Sequence, residues 1–345
     1  MNIPIQNLYY ILCYAWNTLD KQGIVQVDAS QARNVAELCA MVLSNWLSYL
    51  LKKGLHRGYI DYSEAGSAIR GKINFTSSIN KLLPQQAMMH CDFDELSYNV
   101  PLNQIIKATI ANLLRCKEVS KKTKDPLAKL KRHLSDVQDI QLTAQHFERI
   151  HYHRHTSFYR LLISICQLIY ENSLVNQEDG AVTFVDFLRD EEKMRKLYEA
   201  FVRNFYTKEG GCQCVGSKRF RWNCSPETDK DLITYLPTMN TDTSLETENQ
   251  KIIIDTKYYS RGGLVDDKRG YGEKFNSGNL YQMFSYLHNS PKENNKPLTG
   301  ILLYPTVGKD FSYSYRFENF KIRICTINLN QQWQLIHNDL LTLIN

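Results

Sequence analysis

Asp242-Thr243-Ser244-Leu245-Glu246-Thr247-Glu248-Asn249-Gln250-Lys251-Ile252-Ile253-Ile254-Asp255-Thr256-Lys257 is the stretch on which the reading of this chain turns. Three consecutive isoleucines predict a core strand, and that strand delivers a carboxylate and an amine two residues apart. In a strand, positions i and i+2 point to one face, so Asp255 and Lys257 project together. The polar run Glu246–Gln250 suits a hairpin loop, which would lay Asp242 beside Asp255. Side-by-side carboxylates raise each other's pKa unless a cation intervenes. Mg²⁺ is the natural cation, being oxygen-loving and commonly held by one or two carboxylates plus water and phosphate. There it would polarise a phosphodiester and activate a water, with Lys257 adding positive charge. Asp242, Asp255 and Lys257 are therefore the candidate catalytic residues. The alternative is a strand-edge ion pair between Asp255 and Lys257, since a D-x-K tripeptide alone is a weak signal.

Working outward, the helix expected over Asn279–His288 places Gln282 and Tyr286 one turn apart on one face. They join the candidate catalytic set as groups able to bond a phosphate, a water or Lys257. Glu199, on a helix expected over Asp190–Tyr206, is a candidate third acidic metal ligand beside Asp242 and Asp255, or else a solvated charge. Arg261, Lys268, Arg269 and Lys274, interspersed with Gly262, Gly263, Gly270 and Gly272, form a basic loop suited to phosphate or simply exposed. His151, His153 and His155 align on one face if that segment is a strand. Ligands so closely spaced rarely close a tetrahedron, and no cysteine pair lies nearby. Cys212, Cys214 and Cys224 lack an obvious fourth ligand.

The chain of 345 residues is too long for one ordinary core and predicts about two domains. A net charge of +6 permits a nucleic-acid partner without demanding one. No apolar run reaches the roughly 20 residues that span a bilayer, and Met1–Asn7 lacks a basic leader-like start. No membrane association is expected, and the expected location is the cytoplasm. The nine cysteines are scattered, and Cys13, Cys39, Cys116 and Cys166 lie in apolar helix-like segments. They read as reduced, buried residues and not as a disulfide framework.

Helical periodicity runs over Ile5–Leu19 and Ala32–Leu51, with Gly54 as a stop signal. Tyr59–Tyr62, Ala68–Phe75 and Ala87–Phe93 read as β segments, followed by helices over Pro101–Leu114 and Phe158–Tyr170. The seven basic residues within 117–132 suit a solvated helix-loop-helix face better than a nucleic-acid patch. The turn-rich run Asn172–Gly180 sets the domain boundary at 180. Beyond it, strands are expected over Cys214–Phe220, Leu236–Leu245, Lys251–Tyr259, Gly300–Tyr304 and Lys321–Leu329, with a last helix over Gln331–Leu343. That alternation is an α/β order.

The aspartate, hairpin, D-x-K strand and following Q-x-x-x-Y helix together resemble the PD-(D/E)xK nuclease superfamily, particularly its RecB-like branch. Thr241, not a proline, precedes Asp242, so the "PD" dipeptide adds nothing here. The opening Ile3-Pro4-Ile5-Gln6-Asn7-Leu8-Tyr9-Tyr10-Ile11-Leu12-Cys13-Tyr14-Ala15-Trp16 is similar to the start of McrC proteins. Ile69–Phe75 is similar to their G-R-I-x-F segment, and Leu102–Thr109 to their L-N-R-I-I-K-x-T helix. Ile254–Tyr259 and Asn279–Gln282 complete a set in the family's order, spanning essentially the whole chain.

The resemblance implies an α+β N-terminal domain over 1–180, followed by an α/β PD-(D/E)xK (restriction-endonuclease-like) nuclease domain over 181–345. It implies the Mg²⁺-dependent endonuclease subunit of a McrBC-type system acting on DNA with methylated cytosine. The first domain would dock in the hexamer ring of a McrB-like AAA+ GTPase and stimulate hydrolysis of GTP, which the partner binds. The second would take double-stranded DNA. Two other readings stay open: a non-catalytic regulatory adaptor of an AAA+ GTPase, and a stand-alone RecB-like nuclease.

Overall fold

The strand Lys251–Thr256 lies inside a six-stranded mixed sheet of spatial order 312–316, 321–328, 298–306, 251–256, 243–246, 214–216. This computed structural model describes residues 3–17, 31–176, 180–212, 214–224, 230–259, 264–266, 273–291, 296–308 and 310–345. The three central strands run parallel, and antiparallel strands flank them. The isoleucine run is continuous because a central strand is covered on both faces. Ile252, Ile253 and Ile254 are each at most 2% exposed, and each contributes roughly 1.5–3 kcal/mol of burial.

Strand alternation divides the coverage. Ile253 packs with Met283, Tyr286 and Leu287 of the helix Ser277–Asn289. The helix Glu191–Glu209 lies against the strands 251–256, 243–246 and 214–216. Asp190 caps it by accepting from the backbone N–H groups of Glu192 and Lys193, as an N-cap aspartate does. Gly300 permits the close approach of helix Ser277–Asn289, because a Cβ there would stand 2.5 Å from Met283 Sδ. The last helix, Trp333–Ile344, packs on the strand Lys321–Asn328.

Two compact units divide the chain, and the division differs from a cut at 180. The sheet unit comprises Asp186–Asn345 together with the opening helix Ile5–Ala15. The reason is aromatic and polar complementarity. Tyr14 meets Phe201 and Phe205 with ring centroids 5.9 and 5.2 Å away, and Tyr10 stacks on Trp333 at 4.6 Å. Asn204 Nδ2 donates to the carbonyls of Tyr14 and Ala15, satisfying groups that a helix end leaves unpaired. Asn7 Nδ2 donates to the carbonyls of Leu329 and Gln331 at 2.9 and 2.7 Å.

The other unit runs from Asn34 to Val185 and is mainly helical: Val35–Lys53, Pro101–Arg115, Lys121–Arg132 and Tyr159–Glu171. Gly54 ends the first of these with φ +99°, a backbone conformation that glycine adopts freely. A small antiparallel sheet, ordered 58–66, 89–97, 72–73, completes it. Only Lys72–Ile73 of the expected strand Ala68–Phe75 pairs, because Asn74 caps a short helix starting at Phe75. The lysine-rich helix Lys121–Arg132 buries Leu127 and leaves most of its basic residues exposed or half-exposed.

Residues 151–155 form no strand. They lead into the short turn Arg154–Thr156, so the expected alignment of three histidines is lost. Cys13, Cys39, Cys116 and Cys166 are buried, and neither they nor Cys212 and Cys224 are joined in a disulfide. Among the described residues, no helix is long and apolar enough to cross a membrane.

Candidate active site

The hairpin puts Asp242 where the sequence spacing requires. Thr243 pairs with Ile254 in the antiparallel register, and Thr247 N–H to the Gln250 carbonyl closes the turn. Asp242 therefore sits in the bend opposite the end of the D-x-K strand. One of its carboxylate oxygens accepts from both the backbone N–H and the hydroxyl of Thr256, each at 2.8 Å.

Asp255 shares the face of Ile253 and is fully buried. Its carboxylate lies 2.8 Å from Lys257 Nζ. Lys257 is the cation that faces this carboxylate. A carboxylate buried with one cation and a second carboxylate beside it is costly when ionised. Burial, the charge of Asp242 and, more weakly, that of Glu199 push the Asp255 pKa up to about 7 against the pull of Lys257.

Lys257 Nζ also donates to Gln282 Oε1 at 2.8 Å. Gln282 Nε2 donates to the Tyr286 hydroxyl, and that hydroxyl donates to the Asn240 carbonyl, each at 2.7 Å. Gln282 and Tyr286 thus tie the lysine back to the segment that carries Asp242. Burial holds the Tyr286 phenol up at about 12, so it stays protonated at neutral pH and serves as an anchor and not as a base.

Glu199 lies close enough for the charge of Asp242, after burial, to raise its pKa. Arg203 engages it at 3.1 Å and also donates to the Asp242 carbonyl at 3.1 Å. Glu199, Asp242 and Asp255 do not form a preformed ligand group: among the described residues, no three His, Cys, Asp or Glu side chains stand together in metal-holding geometry. What fits a hard divalent cation is the pair Asp242 and Asp255. It supplies oxygen donors, two carboxylates against the single charge of Lys257, and a fully buried Asp255 whose ionisation a cation would favour, and Mg²⁺ needs no more than two carboxylates.

Arg203 is the site residue that motif reading passes over. Its signal was the i,i+4 spacing from Glu199 on one helix. Of the basic loop, Arg261, Lys268, Arg269 and the glycines lie outside the described residues, while Lys274 is in the short strand Glu273–Phe275.

The sequence model of the family described as McrBC 5-methylcytosine restriction system component matches residues 5–305. The chain is 32% identical over 343 residues to the Escherichia coli (strain K12) protein named type IV methyl-directed restriction enzyme EcoKMcrBC, covering 99% of this chain and 97% of that one. Its fold is similar, with a TM-score of 0.59 and 19% identity, to a chain of the refined half-complex from a tetradecameric assembly of Thermococcus gammatolerans McrB AAA+ hexamers with bound McrC. That likeness covers 99% of this chain and 76% of the other. With the family's pattern running through most of its length and a relative this similar over nearly all of it, the chain belongs to the McrBC 5-methylcytosine restriction system component family.

Proposed function

We propose that this protein is the DNA-cutting subunit of a McrBC-type restriction system, with a PD-(D/E)xK nuclease site at Asp242, Asp255 and Lys257. The observation that carries the reading is Asp255: a fully buried carboxylate at the end of a core strand, beside a second carboxylate and one lysine. A purely structural ion pair would gain nothing from Asp242 as a neighbour, because the second negative charge raises the cost of ionising Asp255.

Mg²⁺ bound by Asp242 and Asp255 would polarise the scissile phosphate and lower the pKa of an attacking water. The chain's own residues set the stage. Thr256 holds one Asp242 oxygen through two hydrogen bonds, which orients the other. Lys257, braced by Gln282, keeps its ammonium at Asp255, where it would orient the water and stabilise charge developing on the phosphate. Tyr286 and Gln282 position Lys257 and take no proton.

The substrate is DNA containing methylated cytosine, in keeping with the family's description. The partner is a McrB-type AAA+ GTPase, and the unit Asn34–Val185 is the docking part. That unit contains none of the site residues and leaves Tyr59, Ile69, Phe75 and Ile79 exposed, as interaction surfaces do. The test is Asp255→Ala in the complex reconstituted with partner, GTP and Mg²⁺. Cleavage is lost while partner binding and GTPase stimulation persist; undiminished cutting would sink the assignment.

A further inference from the structure

We infer that the segment Ser217–Arg221 is a DNA-backbone clamp, with Lys218, Arg219 and Arg221 as phosphate contacts beside the cut. The inference rests on the nuclease reading of the neighbouring site. Arg219–Phe220 pairs antiparallel with Met239–Asn240, so Arg219 stands opposite Asn240, two residues before Asp242. Two strand residues span about 7 Å, close to the axial rise of two phosphates on one DNA strand.

The segment is held firmly. Thr241 N–H donates to the Lys218 carbonyl, and Lys218 N–H donates to Thr241 Oγ1, each at 3.0 Å. Ser217 Oγ donates to the Thr241 carbonyl at 2.6 Å, and Trp222 Nε1 to the Pro237 carbonyl at 2.7 Å. Phe220 is buried with Met239 and Ile253, so alternation sends Arg219 and Arg221 to the opposite, exposed face, while Lys218, just before the paired strand, is exposed at its edge.

The three charges are also available. Lys218, Arg219 and Arg221 are exposed, and among the described residues none forms an ion pair. The carboxylate whose field reaches Lys218, Glu246, is engaged by Lys296 at 2.9 Å. Arg219 makes one long hydrogen bond, Nε to Asn240 Oδ1 at 3.4 Å. Unneutralised, preorganised cations at phosphate spacing beside a phosphodiester-cutting site fit the backbone of a nucleic acid and carry no base-reading geometry.

The test compares the full chain with K218Q/R219Q/R221Q, alone and assembled with its GTPase partner, in duplex-DNA binding across a salt series. Each phosphate contact contributes about 0.9 to the slope of log K against log salt. The triple variant should therefore flatten the slope by about 2–3, equally for methylated and unmethylated duplexes. Slopes identical to wild type in both forms overturn the inference. R221Q alone, which touches neither Asn240 nor Thr241, should flatten the slope by about 1 and keeps the question decidable if the triple variant is poorly folded. A flattened slope in a system whose wild type never cuts DNA would leave the clamp standing and remove the nuclease reading.

Discussion

Replacing Asp255 by Asn should destroy cleavage and yet stabilise the metal-free protein. The folded-state pKa of Asp255 is raised from 3.8 to about 7. The fold therefore favours the protonated form. The penalty for ionising it is absent below about pH 4, grows as pH rises and is complete above about pH 7. At about 1.36 kcal/mol per unit, the rise corresponds to about 4 kcal/mol at pH 8. That cost already includes the pull of Lys257; asparagine avoids it but buries an amide whose desolvation costs about 1–3 kcal/mol, so a net gain of about 2 kcal/mol is expected. For a unit of this size, that is a rise in Tm of roughly 4–8 °C. The assay is thermal unfolding in a chelator between pH 5 and 8.5, repeated with Mg²⁺. The variant should melt higher than wild type at pH 8, match it near pH 5 and lose the Mg²⁺-induced stabilisation that wild type displays. A variant less stable than wild type at pH 8, or stabilised by Mg²⁺ to the same extent, would refute the account of Asp255 as a buried carboxylate that Lys257 only partly offsets.

Three further outcomes are expected. Lys257→Ala should lower cleavage by about 10²–10³, the scale of losing one preorganised charge-stabilising donor, measured as single-turnover cutting at saturating Mg²⁺. Gly300→Ala should cost about 1–3 kcal/mol through overpacking, because its Cβ meets Met283 Sδ at 2.5 Å; combining it with Met283→Ala should give a denaturant-measured loss smaller than the sum of the two single losses. Tyr14→Ala should cost about 3 kcal/mol or more, seen as early melting of the sheet unit, with GTPase stimulation of the partner retained at temperatures below that melt.

Local signals made the site legible. The isoleucine run, the polar turn and the D-x-K spacing gave the hairpin, and helical periodicity placed Gln282 and Tyr286. What stayed hidden depends on contacts distant in sequence. Nothing near Ile5–Ala15 announces that Asn7 will bond Leu329 or that Tyr10 will stack on Trp333. An aromatic amphipathic helix looks alike wherever it docks, so the sequence reading left it with its nearest neighbours in the chain. The edge strand Ser312–Arg316 escapes the sequence reading although Tyr313 and Tyr315 alternate with Ser312, Ser314 and Arg316, because the run holds no aliphatic residue and all five side chains stay exposed. His151–His155 failed for the opposite reason: the alternation existed on paper, but no neighbouring strand paired with it.

Because the opening helix belongs with residues from beyond position 186, the sheet unit has one piece at each end of the message and a complete second unit between them. Synthesis proceeds from the N-terminus, and contiguous units fold as they emerge. Asn34–Val185 can close while the ribosome is still working. Ile5–Ala15 must wait for Leu329 and Gln331 before Asn7 finds its acceptors. Ribosome-bound chains halted near position 250 should accordingly protect the helical unit from protease and leave the opening helix open to it. A cell making this protein would complete the unit Asn34–Val185 first, and the sheet unit would be the last piece to set.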